Sequence, residues 1–188
     1  MILLDSTYVH TGGGKVLLNY FLGKIPITKQ KDIYLLLDSR INLKNKSTFK
    51  HKVINPSELE RRIFYKKNNH KFSKYFCFSN VPPPIKTNKE TFIFFQNELI
   101  LSTRNSEFGY IKKLNFWIKK SYIKLLNRNY LWIVQTKHMM GKLSREFNIE
   151  KKDIFIYPFF QAEHEFKKKQ KTSLNIFIYP TSLDKHKN

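Results

Sequence analysis

Three consecutive glycines, Gly12, Gly13 and Gly14, stand between the apolar run "MILLDS" and the helical pattern "GKVLLNYFL". Glycines at a strand-to-helix turn let backbone N–H groups approach a ligand closely, and the positive end of the following helix favours an anion such as phosphate. Two phosphate-binding spacings can be tested here. A nucleotide phosphate loop needs a Gly, four residues, Gly-Lys and then Ser or Thr. Gly14-Lys15 fits, but Val9 holds the first position and Val16 the last. A dinucleotide fingerprint needs a third Gly, where Leu17 stands. Both spacings fail, which leaves either close backbone approach to some other ligand or a tight turn with none.

A second polar cluster follows the apolar run "ETFIFF": Gln96, Asn97 and Glu98 in "FFQNELIL". Amides both donate and accept, so Gln96 and Asn97 suit a sugar hydroxyl. Capping the next helix is the plainer role for all three and the one expected of Glu98, whereas for Gln96 and Asn97 both roles stay open. Other catalytic chemistry is sparse. No His pairs with another at three or four positions, no Gly-any-Ser-any-Gly elbow occurs, and no Asp-any-Asp pair is present. No metal site is expected, nor any cofactor apart from a substrate.

The third candidate is "YIKKLNFWIKKSYIKLLNRN". At 100° per residue Ile111, Leu114, Ile118, Tyr122 and Leu125 share an arc of roughly 80°, the expected core stripe. Lys112, Lys113, Lys119, Lys120 and Lys124 lie opposite, with Phe116 and Ile123 among them. A basic face with embedded apolar groups suits an anionic membrane surface. An ordinary lysine-rich solvent face is the plainer alternative.

Something must hold these groups in place. The chain has 188 residues, 41% of them hydrophobic, with 17 Phe and 10 Tyr, enough for one domain-sized core. Short apolar runs alternate with amphipathic ones, the pattern of an α/β, doubly wound parallel sheet of Rossmann-like type. The expected strands are "MILLDS", "DIYLLLD", "FKHKVIN", "KYFCFSN", "ETFIFF", "LWIVQT" and "DIFIYPF". The expected helices are "GKVLLNYFL", "PSELERRIFYKKNN" with a Ser57–Glu60 capping box, residues 108–127, and "KHMMGKLSREF". This gives a first domain over residues 1–160. A polar linker over 161–173 and the first strand of a second domain over 174–188 are expected to follow.

Net charge is +21, which favours polyanions: nucleic acid, anionic lipid or phosphorylated substrates. The lone Cys77 allows no internal disulfide, which suits a reducing cytoplasm. Asp5 interrupts the first apolar run, so a signal peptide is not expected, and no run approaches the roughly 20 residues that span a bilayer. Any membrane contact should be peripheral, at the inner face.

Taken in order, "HTGGGKVLLNYFL", "FFQNELIL", "LWIVQTKHMMGKLSREFNIEKKDIFIYPF" and "IFIYPTSLDKHKN" resemble the retaining nucleotide-sugar glycosyltransferases of the GT-B type, family 4. The likeness covers essentially the whole chain as a family N-terminal half. It implies sugar transfer from a nucleotide sugar to a surface-polysaccharide or lipid-linked glycan acceptor. By that likeness Gly12, Gly13 and Gly14 face the cleft, Gln96 and Asn97 hold a position where many members place a histidine, and Lys187 matches a lysine directed at the donor diphosphate. Ser182 stands where members often carry arginine. The family's donor-binding domain would come after Asn188, so little or no transfer is expected of these residues alone. The alternative is a basic, non-catalytic protein that binds nucleic acid or another polyanion; the leading reading expects no nucleic-acid partner.

Overall fold

The computed structural model describes residues 1–43, 48–101 and 109–158. The first-domain expectation falls mostly within them, whereas the linker, the strand after it, Ser182 and Lys187 lie outside the described residues. Among the described residues seven strands are interspersed with helices: β1 (Ile2–Ser6), α1 (Gly12–Gly23), α2 (Ile27–Gln30), β2 (Ile33–Asp38), β3 (Lys50–Ile54), α3 (Glu58–Asn68), β4 (Lys74–Cys77), β5 (Glu90–Phe94), α4 (Tyr110–Leu126), β6 (Leu131–Val134), α5 (Lys137–Phe147) and β7 (Ile154–Ile156). All pairings are parallel, in the order β3-β2-β1-β4-β5-β6-β7. This is a Rossmann-like doubly wound α/β fold. The one-turn α2 was not expected from periodicity.

Parallel register puts partnered residues on the same face. One row runs Leu36, Asp5, Cys77, Ile93, Trp132, Ile154 across the sheet. It is apolar except at Asp5, which is fully buried. On that face α3 buries Phe64 and Tyr65 against Leu3, Leu36 and Tyr75. α5 buries Met139, Leu143 and Phe147, spaced four apart, against Trp132 and Ile93. The opposite face holds Leu35, Leu4, Phe76, Phe92 and Leu131 in one row. There α1 covers the β1–β2 side with Leu18 and Leu22. Rightward connections place their helices on the first face, and Val81–Lys89 carries no helix. An apolar groove of about 730 Å³ therefore runs past Phe76, Phe92 and Ile133 to Tyr157.

The helix ends follow local chemistry. Ser57 caps α3 by accepting from Glu60 N–H, while the Glu60 carboxylate reaches the backbone and side chain of Asn55. Half the expected capping box is thus redirected two residues upstream of Ser57. Thr136 caps α5 by accepting from Met139 N–H, and Asn148 ends it in the left-handed conformation. Among the described residues no helix is long and apolar enough to cross a membrane.

Asp5 is matched by Arg61 of α3, buried like its partner, whose Nε donates to Oδ2 at 2.7 Å. Tyr65 Oη donates to the same oxygen and Thr7 N–H to the other. Arg61 also reaches Glu58 and the Val81 carbonyl, which ties α3 to the loop after β4. Burial opposes the Arg61 charge, but Asp5 and its neighbours hold the guanidinium firmly protonated. Burial pushes the nearby Cys77 thiol up to about 12, so it is an inert core group. Arg61→Ala leaves a buried carboxylate without its counter-charge, and urea denaturation should show a loss of about 3–5 kcal/mol.

Candidate functional site

The strand order reverses between β1 and β4. At such a switch the loops at the carboxyl ends diverge and leave a crevice for ligands. Two adjoining cavities, about 680 and 670 Å³, open there and share Gly14, Asn80, Gln96 and Asn97. The first is lined also by Tyr8, His10, Arg40, Glu58, Lys119 and Tyr122. The second extends past Gly13 to Glu98 and Gln135. The structure therefore brings four of the five expected substrate-binding residues, Gly13, Gly14, Gln96 and Asn97, to the cleft wall.

The glycines differ in what they do. Gly12 begins α1 with φ at +60°, a conformation that strains other residues. A Cβ on Gly14 would lie 3.1 Å from Gln96 Nε2, so this glycine lets the β5 loop approach the first turn of α1. A Cβ on Gly13 would meet nothing. Thr11, the residue before α1, makes no side-chain capping bond, and the first turn holds no acid. Such a helix start suits an anion.

Asn80 fixes the opposite wall. Its backbone is left-handed, and its Oδ1 accepts from both Gln96 N–H and Asn97 N–H, at 2.7 and 3.0 Å. Asn97 in turn caps the short turn Glu98–Ile100 by accepting from Leu99 N–H. The capping role expected of Glu98 belongs to Asn97. The Glu98 carboxylate instead meets Lys142 and His138 of α5, and Lys142 first of all holds it below its usual range.

Glu58 sits at the cleft between two phenols. Tyr8 Oη donates to one oxygen at 2.7 Å and Tyr122 Oη to the other at 2.6 Å, so the loop after β1, α3 and α4 meet at this carboxylate. Burial and then Glu58 hold both phenols protonated, well above their ordinary range. Tyr8 also has positive φ, and its N–H donates to Asp38. Burial pushes the Asp38 carboxyl up, but the Arg40 guanidinium and N–H outweigh it and hold it low. Arg40, paired with Asp38, and Lys119 bring cationic groups to a wall that also carries Glu58. Ser79 Oγ and His10 Nδ1 are buried at this wall with no hydrogen-bond partner among the described residues.

Tyr8, His10, Arg40, Glu58 and Asn80 carry no signal that the sequence reading used, and Tyr122 was expected in the core rather than at the cleft. Asn80 was within reach, because it follows "KYFCFS" at the same carboxyl edge as Gln96.

The expected orientation of α4 is corrected. Ile123 is fully buried and Phe116 packs on the cluster around Trp132, so neither can meet a membrane. Lys120 is half-buried and pairs with Glu146. Lys112, Lys113, Lys119 and Lys124 stay exposed. Ile111, Leu114, Ile118 and Leu125, expected in the core, are on the surface, and Tyr122 is half-buried. The reason is competition: α5 already covers this sheet face, leaving room only for Phe116 and Ile123 from α4.

Comparison with known proteins returns no matching family model, no matching curated protein and no matching solved structure. Asn80 generates a test of the cleft wall. Asn80→Ala loses two hydrogen bonds and strains a left-handed residue, so it should cost about 2 kcal/mol in urea denaturation. Asn80→Gly, free of the strain, should lose less.

Proposed function

We propose that this domain is the acceptor side of a retaining glycosyltransferase that moves a sugar from a nucleotide sugar to a surface-polysaccharide or lipid-linked glycan acceptor. The observation that carries the reading is the meeting of Gly14 with Gln96 beside the switch-point crevice. It joins an uncapped helix start to paired amides at one wall. The helix start and Arg40 suit phosphate oxygens, while Gln96 and Asn97 suit sugar hydroxyls. In this reading the enzyme works peripherally at the cytoplasmic face of a membrane. The donor's diphosphate would meet a second domain whose lysine is Lys187, outside the described residues.

Leaving-group charge in such a transfer must be stabilised by donors on the nucleotide side. The described cleft is then one wall of two, and the 188-residue chain alone should bind acceptor without transferring sugar. A short-chain isoprenyl-diphosphate sugar, titrated calorimetrically into the chain, should bind saturably. Gly14→Val, which drives a side chain into Gln96, should weaken that binding about tenfold, a change of about 1.4 kcal/mol. Absence of saturable binding would contradict the acceptor-side reading, and sugar transfer by the chain alone would contradict the two-wall reading.

A further inference from the structure

α4 carries an apolar surface that the core does not use. Tyr110, Ile111, Leu114, Trp117, Ile118 and Leu125 are all exposed, Ile111 by 79%, Trp117 by 65% and Leu125 by 75%. On a helical projection these six fall within an arc of about 120°, directed away from Phe116 and Ile123. Lys113 and Lys124 border one edge of the arc, and Lys119 lies beyond the other. The helix "YIKKLNFWIKKSYIKLL" contains five lysines and no acidic residue.

We propose that this outward face of α4 docks on an anionic lipid bilayer, its aliphatic and aromatic groups entering the interface and Lys113, Lys119 and Lys124 meeting lipid phosphates. The apolar stripe supplies area, Trp117 and Tyr110 suit the headgroup level, and lysine side chains are long enough to lay their stems on the stripe and carry their ammonium groups to phosphates; Lys113 Nζ lies 5.9 Å from the Tyr110 ring centre. The proposal reverses the face expected from periodicity. Charge selects this occupant over the others. Two copies paired along the stripe would bring lysine flanks together without an acid on either helix. Nucleic acid would satisfy the lysines but not the Ile111, Leu114, Ile118 and Leu125 surface.

Docking here has a geometric consequence. Ile118, Lys119 and Tyr122 also line the larger switch-point cavity, so the cleft mouth comes to the headgroup level. A lipid-borne ligand would then reach the cleft without leaving the membrane. The docking face stands independently of the glycosyltransferase reading, because vesicle binding is measured without any sugar.

The 188-residue chain contains two tryptophans. Trp132 is wholly buried, which makes Trp117 a native probe of the interface. With vesicles of phosphatidylcholine and about 30 mol% phosphatidylglycerol, Trp117 emission should shift to the blue and be quenched by brominated acyl chains. Pure phosphatidylcholine should give little of either. Leu114→Ser with Ile118→Ser should lower the partition coefficient about tenfold or more, with circular dichroism unchanged. Lys113→Glu, Lys119→Glu and Lys124→Glu together should abolish the preference for anionic vesicles. Unmoved Trp117 emission in the wild-type chain, which requires no variant, would overturn the proposal. So would unchanged binding by the double Ser variant, duplex DNA binding that matches vesicle binding, or a lipid-free dimer that shields Trp117.

Discussion

A carboxylate in the middle of a buried parallel sheet must be matched, and the Asp5–Arg61 pair is the constraint on which this domain depends. Asp5 interrupts a row of Leu36, Cys77, Ile93, Trp132 and Ile154. Arg61, Tyr65 and Thr7 N–H satisfy its oxygens. Replacing such a pair by well-packed apolar groups is often neutral or stabilising, so stability alone does not explain it. Its geometric effect is clearer. Arg61 extends from Asp5 to Glu58 and Val81, setting α3 and the loop after β4 at the edge of the crevice. Glu58, held there, gathers Tyr8 and Tyr122.

The cleft wall is built at an energetic cost. Tyr8 and Asn80 both occupy left-handed backbone conformations, at roughly 1–2 kcal/mol each for residues with a side chain. Each has specific compensation: Tyr8 through Asp38 and Glu58, Asn80 through two backbone N–H groups beyond β5. Strain of this kind at the carboxyl ends of β1 and β4, beside an uncapped helix, fixes the directions of polar groups around an open volume.

Local signals carried much of the fold. Buried strands such as "DIYLLLD" are short and apolar throughout, and α5 shows its core residues at fixed intervals, so both were legible in the sequence. The glycine turn and Gln96–Asn97 were legible too, because topology sends every parallel strand's carboxyl end to one edge. Long-range pairings were not legible. Nothing local marks Arg61 as the partner of Asp5, or Tyr8 and Tyr122 as partners of Glu58. The orientation of α4 is not legible in its periodicity, for a physical reason. Its wider apolar stripe has the periodicity of a core face, yet packing space on the sheet was already taken by Met139, Leu143 and Phe147. Periodicity reports that a helix has an apolar side, and the neighbouring elements decide what that side meets.

These elements converge on one crevice. The ion pair sets α3, the strained loops aim polar groups, the glycines admit Gln96, and α4 borders the opening. The central claim is that ligand oxygens are received by the first turn of α1 and the amides beyond β5. Backbone amide chemical shifts of the 188-residue chain, followed during addition of the isoprenyl-diphosphate sugar, measure this directly. The account predicts that the largest changes fall at Gly12, Gly13, Gly14, Gln96 and Asn97. Changes confined to α4 or the β3 edge, with those five amides unmoved, would contradict it.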